Sequence, residues 1–471
     1  MNNRKFRYSL NSKVFIVGAV IIVLLLNAIL ISLDSKIPLE FDFTQGKIYD
    51  LTEETEMIVD QIDEPVEILL LTAGTENETI SMIKNVLDKY SQRNSDISVR
   101  IVDVIKNPME VQEYIQQIAA MSVGSLVIKQ GDRSELVNAS DFFSQNGYSY
   151  IERVITTKLA GFIDGMTVSN VYLTVGHGES LPAGGVIKIL EMAGYHVEEF
   201  DTLSQDFPED TKTVVIIPAP TSDFSVEEIN KLDSYLDRGG NVQIYLDPLA
   251  QGSTPNLDSY LVEDWGIERK HHIVLDTGNT IENSMYMIGE MSEHEIIAPI
   301  KTGQKRAGYA PANSFTVAAD KPASVSVETL MSSSKDAYAK ESMEAIQSQG
   351  SAGKSSGDEE GPFDVLVAAT KTTSNLENET ITGRLIVGGS VYMIDALITD
   401  TRFANEDILL NSITWMNGGD ASVTVRAKAI PGGVMSLTVT HFWIWSAVLV
   451  LVIPLALLAG GIVVFLKRRY K

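Results

Sequence analysis

Two long uncharged apolar runs, one near each end of the chain, constrain its architecture more than any other feature. Val14 to Leu33 is twenty residues without a charge, and Phe442 to Leu466 is a second uncharged stretch. At ~1.5 Å per residue a twenty-residue helix spans ~30 Å, the thickness of a bilayer's hydrocarbon core. The second run is long enough to cross with some tilt. Arg4, Lys5, Arg7 and Lys13 precede the first run, and Lys467, Arg468, Arg469 and Lys471 follow the second. Basic flanks stay on the cytoplasmic side, so both termini are expected there, with residues 34–441 outside. A cleaved signal peptide is the competing reading of the first run. The run exceeds the ~7–15 apolar residues of a signal sequence, and no small-x-small cleavage site follows it. An uncleaved two-pass anchor in a bacterial cytoplasmic membrane is therefore expected. Within the runs, Asn27, Pro454, Gly460 and Gly461 are candidate contacts to partner helices. A buried amide can bond across helices, and small residues let backbones approach. Simple tolerance of one amide and one proline is the alternative.

Charge and cysteine content narrow the function classes. The net charge is −25, and the two basic tips contribute +8, which leaves −33 between them. Such a surface repels nucleic acid and anionic lipid heads and keeps a large external region soluble. Cysteine is absent, which excludes disulfides, thiolate metal sites and a cysteine nucleophile. A large exported region without disulfides fits a bacterial envelope.

The central region alternates between strand and helix patterns. After the tip 1–13 and the run 14–33, residues 34–150 read as a membrane-proximal segment and a small domain. Thr52 caps a short helix with Glu53, Glu54 and Glu56 in its first turn. Val66 to Leu71 is a strand, Thr79 to Tyr90 a helix, Ile97 to Val104 a strand and Pro108 to Ala120 a helix. Ser125 to Lys129 and Glu135 to Asn138 form a hairpin. That order is thioredoxin-like, without the cysteines of thioredoxin chemistry. A helix from Ile151 to Ile163 leads into residues 151–278. There Val171 to Val175, His196 to Phe200, Thr213 to Ile217 and Asn241 to Leu246 read as strands. The helices between them run from Ala183 to Ala193 and from Val226 to Asp237, the latter opened by a Ser225/Glu228 capping box. The pattern predicts a doubly wound parallel sheet. Residues 279–361 are expected to be an insertion, with Ser332 to Gly361 a loop or disordered segment. Residues 362–430 are expected to return to the same sheet, through Asp364 to Ala369, Arg384 to Gly388 and a helix from Asn405 to Asn417. The run 442–466 and the tip 467–471 complete the chain. The fold class is thus α/β between two transmembrane helices.

Few motifs carry chemistry. Gly350-Ser351-Ala352-Gly353-Lys354-Ser355 looks like a phosphate loop, but its glycines are wrongly spaced and no strand precedes it, so ATP hydrolysis is not expected. Gly176-His177-Gly178-Glu179 sits after the first strand of the sheet, where doubly wound folds place their sites. Flanking glycines allow a tight turn that exposes the histidine. The pair His177 and Glu179 could bind a ligand or work with water in a hydrolase or carbohydrate-binding protein; a plain strand-end turn is the other reading. His271, His272 and Asp276, and His294 with Glu293 and Glu295, could be imagined as metal ligands. Adjacent residues on a strand point to opposite faces, so surface polar roles are expected instead. No cofactor, metal or catalytic residue is assigned.

The residues also resemble a family. Asp42-Phe43-Thr44, Tyr49-Asp50-Leu51-Thr52 and Asp63-Glu64-Pro65-Val66 are similar to the N-terminal signature of GldG-type gliding-motility auxiliary proteins of ABC transporters. Val171 to Glu179, Ile216 to Pro220, Leu232 to Val242, Arg384 to Ser390, Asn405 to Met416 and Pro454 to Arg469 resemble its later motifs in order. The resemblance implies an auxiliary subunit beside a separate ABC permease and ATPase, docked through its helices. Its outer domains would meet a substrate or envelope component. It also implies a second domain similar to class I glutamine amidotransferases. The nucleophile of that fold is a cysteine, so the activity does not carry over.

Overall fold

The computed structural model describes residues 47–429, except 75–76, 116–122, 144–147, 164–169, 251, 282–283, 302–304, 350–351, 375–377, 401 and 419–427. Both apolar runs, and with them Asn27, Pro454, Gly460 and Gly461, lie outside the described residues. Among the described residues no helix is long and apolar enough to cross a membrane.

Thr52 opens α1 (Glu53–Val59) by accepting a hydrogen bond from the Thr55 amide, with three acidic side chains at the positive end of the helix. There follow β1 (Val66–Thr72), α2 (Glu78–Arg93), β2 (Ile97–Asp103), α3 (Pro108–Ile115), β3 (Leu126–Gln130) and β4 (Arg133–Val137). They build a four-stranded sheet in the order β2-β1-β3-β4. Strand β1 runs parallel to β2 and antiparallel to β3, and β3 pairs with β4 through a two-residue turn at Gly131-Asp132. Ile80, Ile83, Leu87 and Tyr90 of α2 cover Ile68 and Leu70 on one face. Val111 of α3 covers Leu69 and Leu71 on the other. Burial on both faces explains the unbroken apolar run Ile68 to Leu71 within β1.

After β5 (Tyr148–Ser149), α4 (Ile151–Ala160) packs its Ile151, Ile155 and Leu159 into the small domain's core, where Met192 of the next domain also lies. That domain begins with β6 (Asn170–Val175), α5 (Gly185–Met192), β7 (His196–Asp201), β8 (Val214–Pro218), α6 (Val226–Asp237), β9 (Asn241–Tyr245) and α7 (Pro255–Glu263). It continues through β10 (Ile267–Leu275), β11 (Met287–Met291), α8 (Ala298–Lys301), β12 (Ala307–Tyr309), β13 (Ala312–Val317) and β14 (Val325–Ser332). Next come β15 (Tyr338–Lys340), α9 (Met343–Gln349), β16 (Glu359–Glu360), β17 (Asp364–Ser374), β18 (Thr380–Gly388), α10 (Asn405–Met416) and β19 (Lys428–Ala429).

Strands β7-β6-β8-β9-β18 lie side by side and all parallel. Counted by appearance, their order is second, first, third, fourth, fifth, so the direction of winding reverses between β6 and β8. Side chains alternate across this block. Val214 and Ile216 face α5 and α10, whereas Val215 and Ile217 face α6 and α7. The sheet then continues in antiparallel fashion from β18 through β17, β13, β10, β15 and β16, with β14 paired to β17, β11 to β14 and β12 to β11.

Three expectations need correction. Ser332 to Gly361, expected to be a loop or disordered, carries β15, α9 and β16. Residues 279–361 as a whole are less an insertion than part of the same sheet. Few apolar side chains are needed there, because Tyr338 is buried and the Lys340 ammonium, 1% exposed, reaches Asp358 at 2.7 Å and Ser355 at 2.9 Å. The helix expected from Ala183 starts instead at Gly185, because the Ala183 and Gly184 amides are bound outside it by Asp395.

Candidate functional site

The winding reversal between β6 and β8 is where a doubly wound sheet opens a crevice at its carboxyl ends. Gly176 and Gly178 take φ of +111° and +71°, which glycine alone adopts freely. Between them the chain doubles back, and His177 turns inward. The expectation that the glycines expose it is corrected: His177 is 3% exposed. Its ring stacks on Phe224 with centroids 4.0 Å apart and planes 17° from parallel. Its carbonyl accepts from the Thr221 and Ser222 amides at 2.9 and 3.0 Å, tying the β6 turn to the loop after β8. A Cβ at Gly178 would lie 2.2 Å from the Thr221 hydroxyl, so the two loops are in contact.

Two carboxylates flank the imidazole. Glu179 folds back to accept the His177 amide at 2.6 Å, and its other oxygen, buried and without a hydrogen bond, lies 3.8 Å from Nδ1. Glu228 places an oxygen 3.3 Å from Nε2 and accepts from the Thr202 hydroxyl at 2.7 Å. Glu228 also completes the capping box of α6, taking the Ser225 amide at 2.9 Å and the Ser225 hydroxyl at 2.8 Å. Burial alone would raise the Glu228 carboxyl. The Ser225 and Thr202 hydrogen bonds and the nearby His177 outweigh it and hold the group below its ordinary value. Asp201, at the end of β7, is held low first by the Ser204 hydroxyl, then by backbone amides and His177.

Sequence reasoning singled out His177 and Glu179 and missed Glu228 and Thr202 as their partners. The capping box put Glu228 at the start of α6, at the carboxyl edge of the sheet, and that position was the available signal. Chemically the group sets an imidazole between two carboxylates and fastens two loops. The Thr202 hydroxyl donates to Glu228 and lies 3.4 Å from His177 Nδ1, and the ring between them is 3% exposed.

The neighbouring anion position is also filled. Asp395 accepts from the Ala183 amide at 3.0 Å and the Gly184 amide at 2.9 Å, at the N-terminal end of α5. A phosphate or carboxylate ligand would favour that helix end, and the chain's own carboxylate occupies it.

The remaining candidates are dispersed. His271 is exposed and pairs with Asp258 at 3.2 Å, whereas His272, on the other face of β10, bonds Ser314 at 2.7 Å. Burial lowers the affinity of His272 for a proton. Asp276 is buried, and His294 accepts the Ile296 amide at 3.1 Å beside Trp415. Among the described residues no three His, Asp or Glu side chains are arranged to hold a metal ion. Lys354 of the phosphate-loop lookalike pairs with Glu360 at 2.8 Å. Open hollows lie elsewhere: one of 390 Å³ beside Arg384 and Trp415, another of 600 Å³ beside Lys47, Thr52, Arg93 and Lys428.

No curated protein matches the chain. Among solved structures, the mmIFT52 N-terminal domain is similar over 53% of this chain and 99% of its own length, at 15% identity and a TM-score of 0.37, too distant to inform fold or function. A family of domains of unknown function matches residues 45–143, the small domain. The model of a family described as an ABC-type uncharacterized transport system matches residues 168–412, which include both the parallel and the antiparallel parts of the large sheet. That match spans just over half of the 471 residues, and the chain belongs to this family of ABC-transporter auxiliary proteins.

Proposed function

We propose that the chain is a non-catalytic accessory subunit of an ABC-type transport or surface-assembly system. It is held in the bacterial cytoplasmic membrane by Val14–Leu33 and Phe442–Leu466, with both termini cytoplasmic. Its outer domains engage a substrate or envelope partner, and its apolar helices meet the permease, which works with a separate ATPase. Family membership over residues 168–412 carries this reading. The inward, self-satisfied His177 and the absence of cysteine support a binding or structural role over a hydrolase centred on His177 and Glu179. The motif order across the chain supports a GldG-type member. The β1-α2-β2-α3-β3-β4 succession supports a thioredoxin-like small domain. The order of the five parallel strands supports an amidotransferase-like second domain.

The test is capture of the full-length protein in mild detergent, with mass spectrometry of what accompanies it. An ABC permease and its ATPase are expected, and both are expected to vanish when the two apolar runs are replaced by polyleucine. Recovery of the protein alone would overturn the reading.

A further inference from the structure

The described chain begins at residue 47 and ends at residue 429, and these ends meet. Strand β19 pairs antiparallel with β5, setting Lys428 opposite Ser149 and Ala429 opposite Tyr148. One carboxylate joins both ends. Glu152, 4% exposed in the first turn of α4, accepts the Thr52 amide at 2.6 Å on one oxygen and holds the Lys428 ammonium at 2.5 Å on the other. The same ammonium donates to the Asp50 carbonyl. Lys47 lies fourteen residues beyond the first apolar run, and Ala429 thirteen before the second.

The next residue of α4 faces the other domain. The Arg153 guanidinium, 2% exposed, pairs with Glu406 in the first turn of α10. Elsewhere α4 is bonded to the small domain: Thr156 meets Thr55 at 3.1 Å and Tyr90 at 2.5 Å. Two consecutive buried charges therefore tie one helix to the segments around Thr52 and Lys428 and to α10, which packs on the large sheet. Buried ion pairs of this kind resist partial opening, because removing one partner strands the other charge in a low dielectric.

We propose that α4 is a coupling element. Glu152 clamps the two segments that lead to the apolar runs, and Arg153 passes release of that clamp to α10. Relative movement of the two runs would then be resisted until Lys428 leaves Glu152, after which the change reaches the α/β domain as a discrete step. The functional meaning rests on the reading of the runs as membrane anchors; the mechanical claim does not.

Hydrogen exchange on the full-length protein in detergent tests it. Lys428→Gln should speed exchange at the amides of β5 and β19 about tenfold, through loss of the ion pair with Glu152 and the charge-assisted bond to the Asp50 carbonyl. It should also speed exchange in α10, which Lys428 does not touch. The chain lacks cysteine, so a Tyr148→Cys/Ala429→Cys disulfide can be added cleanly across the paired strands. In the Lys428→Gln background that lock should return α10 to parental protection, an effect that mere local loosening of α4 would not give. Unchanged exchange at β5 and β19, an unresponsive α10, or failure of the lock to restore it would each overturn the proposal. Glu152→Gln serves as a second variant if it folds. Carbonate extraction of the same samples reports membrane integration separately, so the anchor reading and the clamp can fail independently.

Discussion

The two parts of the large sheet are held by different physics. In the parallel block, β8 and β9 are buried along their whole length, with α5 and α10 on one face and α6 and α7 on the other. Its cohesion is apolar area, which is non-directional. In the antiparallel part, exposed and buried positions mix along β10 and β14, and polar groups do much of the holding. Arg269 bonds Asn313 at 3.0 Å beside Asp258 at 3.5 Å, and Lys340 reaches Asp358 and Ser355. Burial keeps Arg269 below the ordinary arginine range, opposed by the Asp258 charge. An apolar core tolerates any filling of similar shape. A polar one demands particular partners and fails when one of a pair is lost.

Substitutions at Ile216 and Lys340 test this contrast most severely. Ile216→Ala removes a fully buried side chain from the parallel block and should cost about 4 kcal/mol. Ile216→Val should cost about 1 kcal/mol, measured by urea denaturation. Lys340→Met leaves the Asp358 carboxylate facing an apolar stem and should cost about 3 kcal/mol. Adding Asp358→Leu should recover most of that loss, whereas no second apolar change should rescue Ile216→Ala. If Lys340→Met alone is neutral, the antiparallel part is held by its few apolar contacts and the contrast collapses.

The same contrast explains what the sequence made legible. Val214–Pro218 is a continuous apolar run because both faces are covered, and a linear reading detects that directly; Asn241–Tyr245 is equally buried but carries the polar Asn241 and Gln243. The Ser225/Glu228 capping box is local and forms as spaced. Lys340 sits in a stretch whose composition suggests a loop, and its burial depends on Ser355 and Asp358 folding over it. Asp395 binds amides 212 and 211 positions away, so nothing local marks it as a cap. At His177 the sequence located the turn but misjudged its direction. Glycines on both sides signal freedom, and the φ values they adopt swing the ring toward Phe224 and Glu228 rather than outward. Which way a turn faces is decided by partners distant in the sequence.

Smaller effects probe that closed turn. Gly178→Ala places a Cβ 2.2 Å from the Thr221 hydroxyl at φ +71° and should cost about 1–2 kcal/mol from the backbone alone. Thr221→Ala in the same chain should relieve the clash and leave only the backbone cost. Additive losses in the thermal midpoints would show that the two loops do not touch.

The smallest effect is one of pH. Glu228 has a folded value below its ordinary 4.5, so the unfolded chain takes up its proton first as pH falls. Its contribution to stability is complete above the unfolded value and is lost as pH drops through the folded one. His177, Thr202 and Ser225 surround the carboxylate, and Glu228→Gln keeps its shape while removing its titration. The variant should be modestly less stable at neutral pH and should lose stability more gently on acidification below about pH 5. Urea midpoints followed down the acid limb measure the difference. Parallel curves for parent and variant would mean that Glu228 serves only as a helix cap, and that His177 is held by stacking on Phe224 rather than by charge.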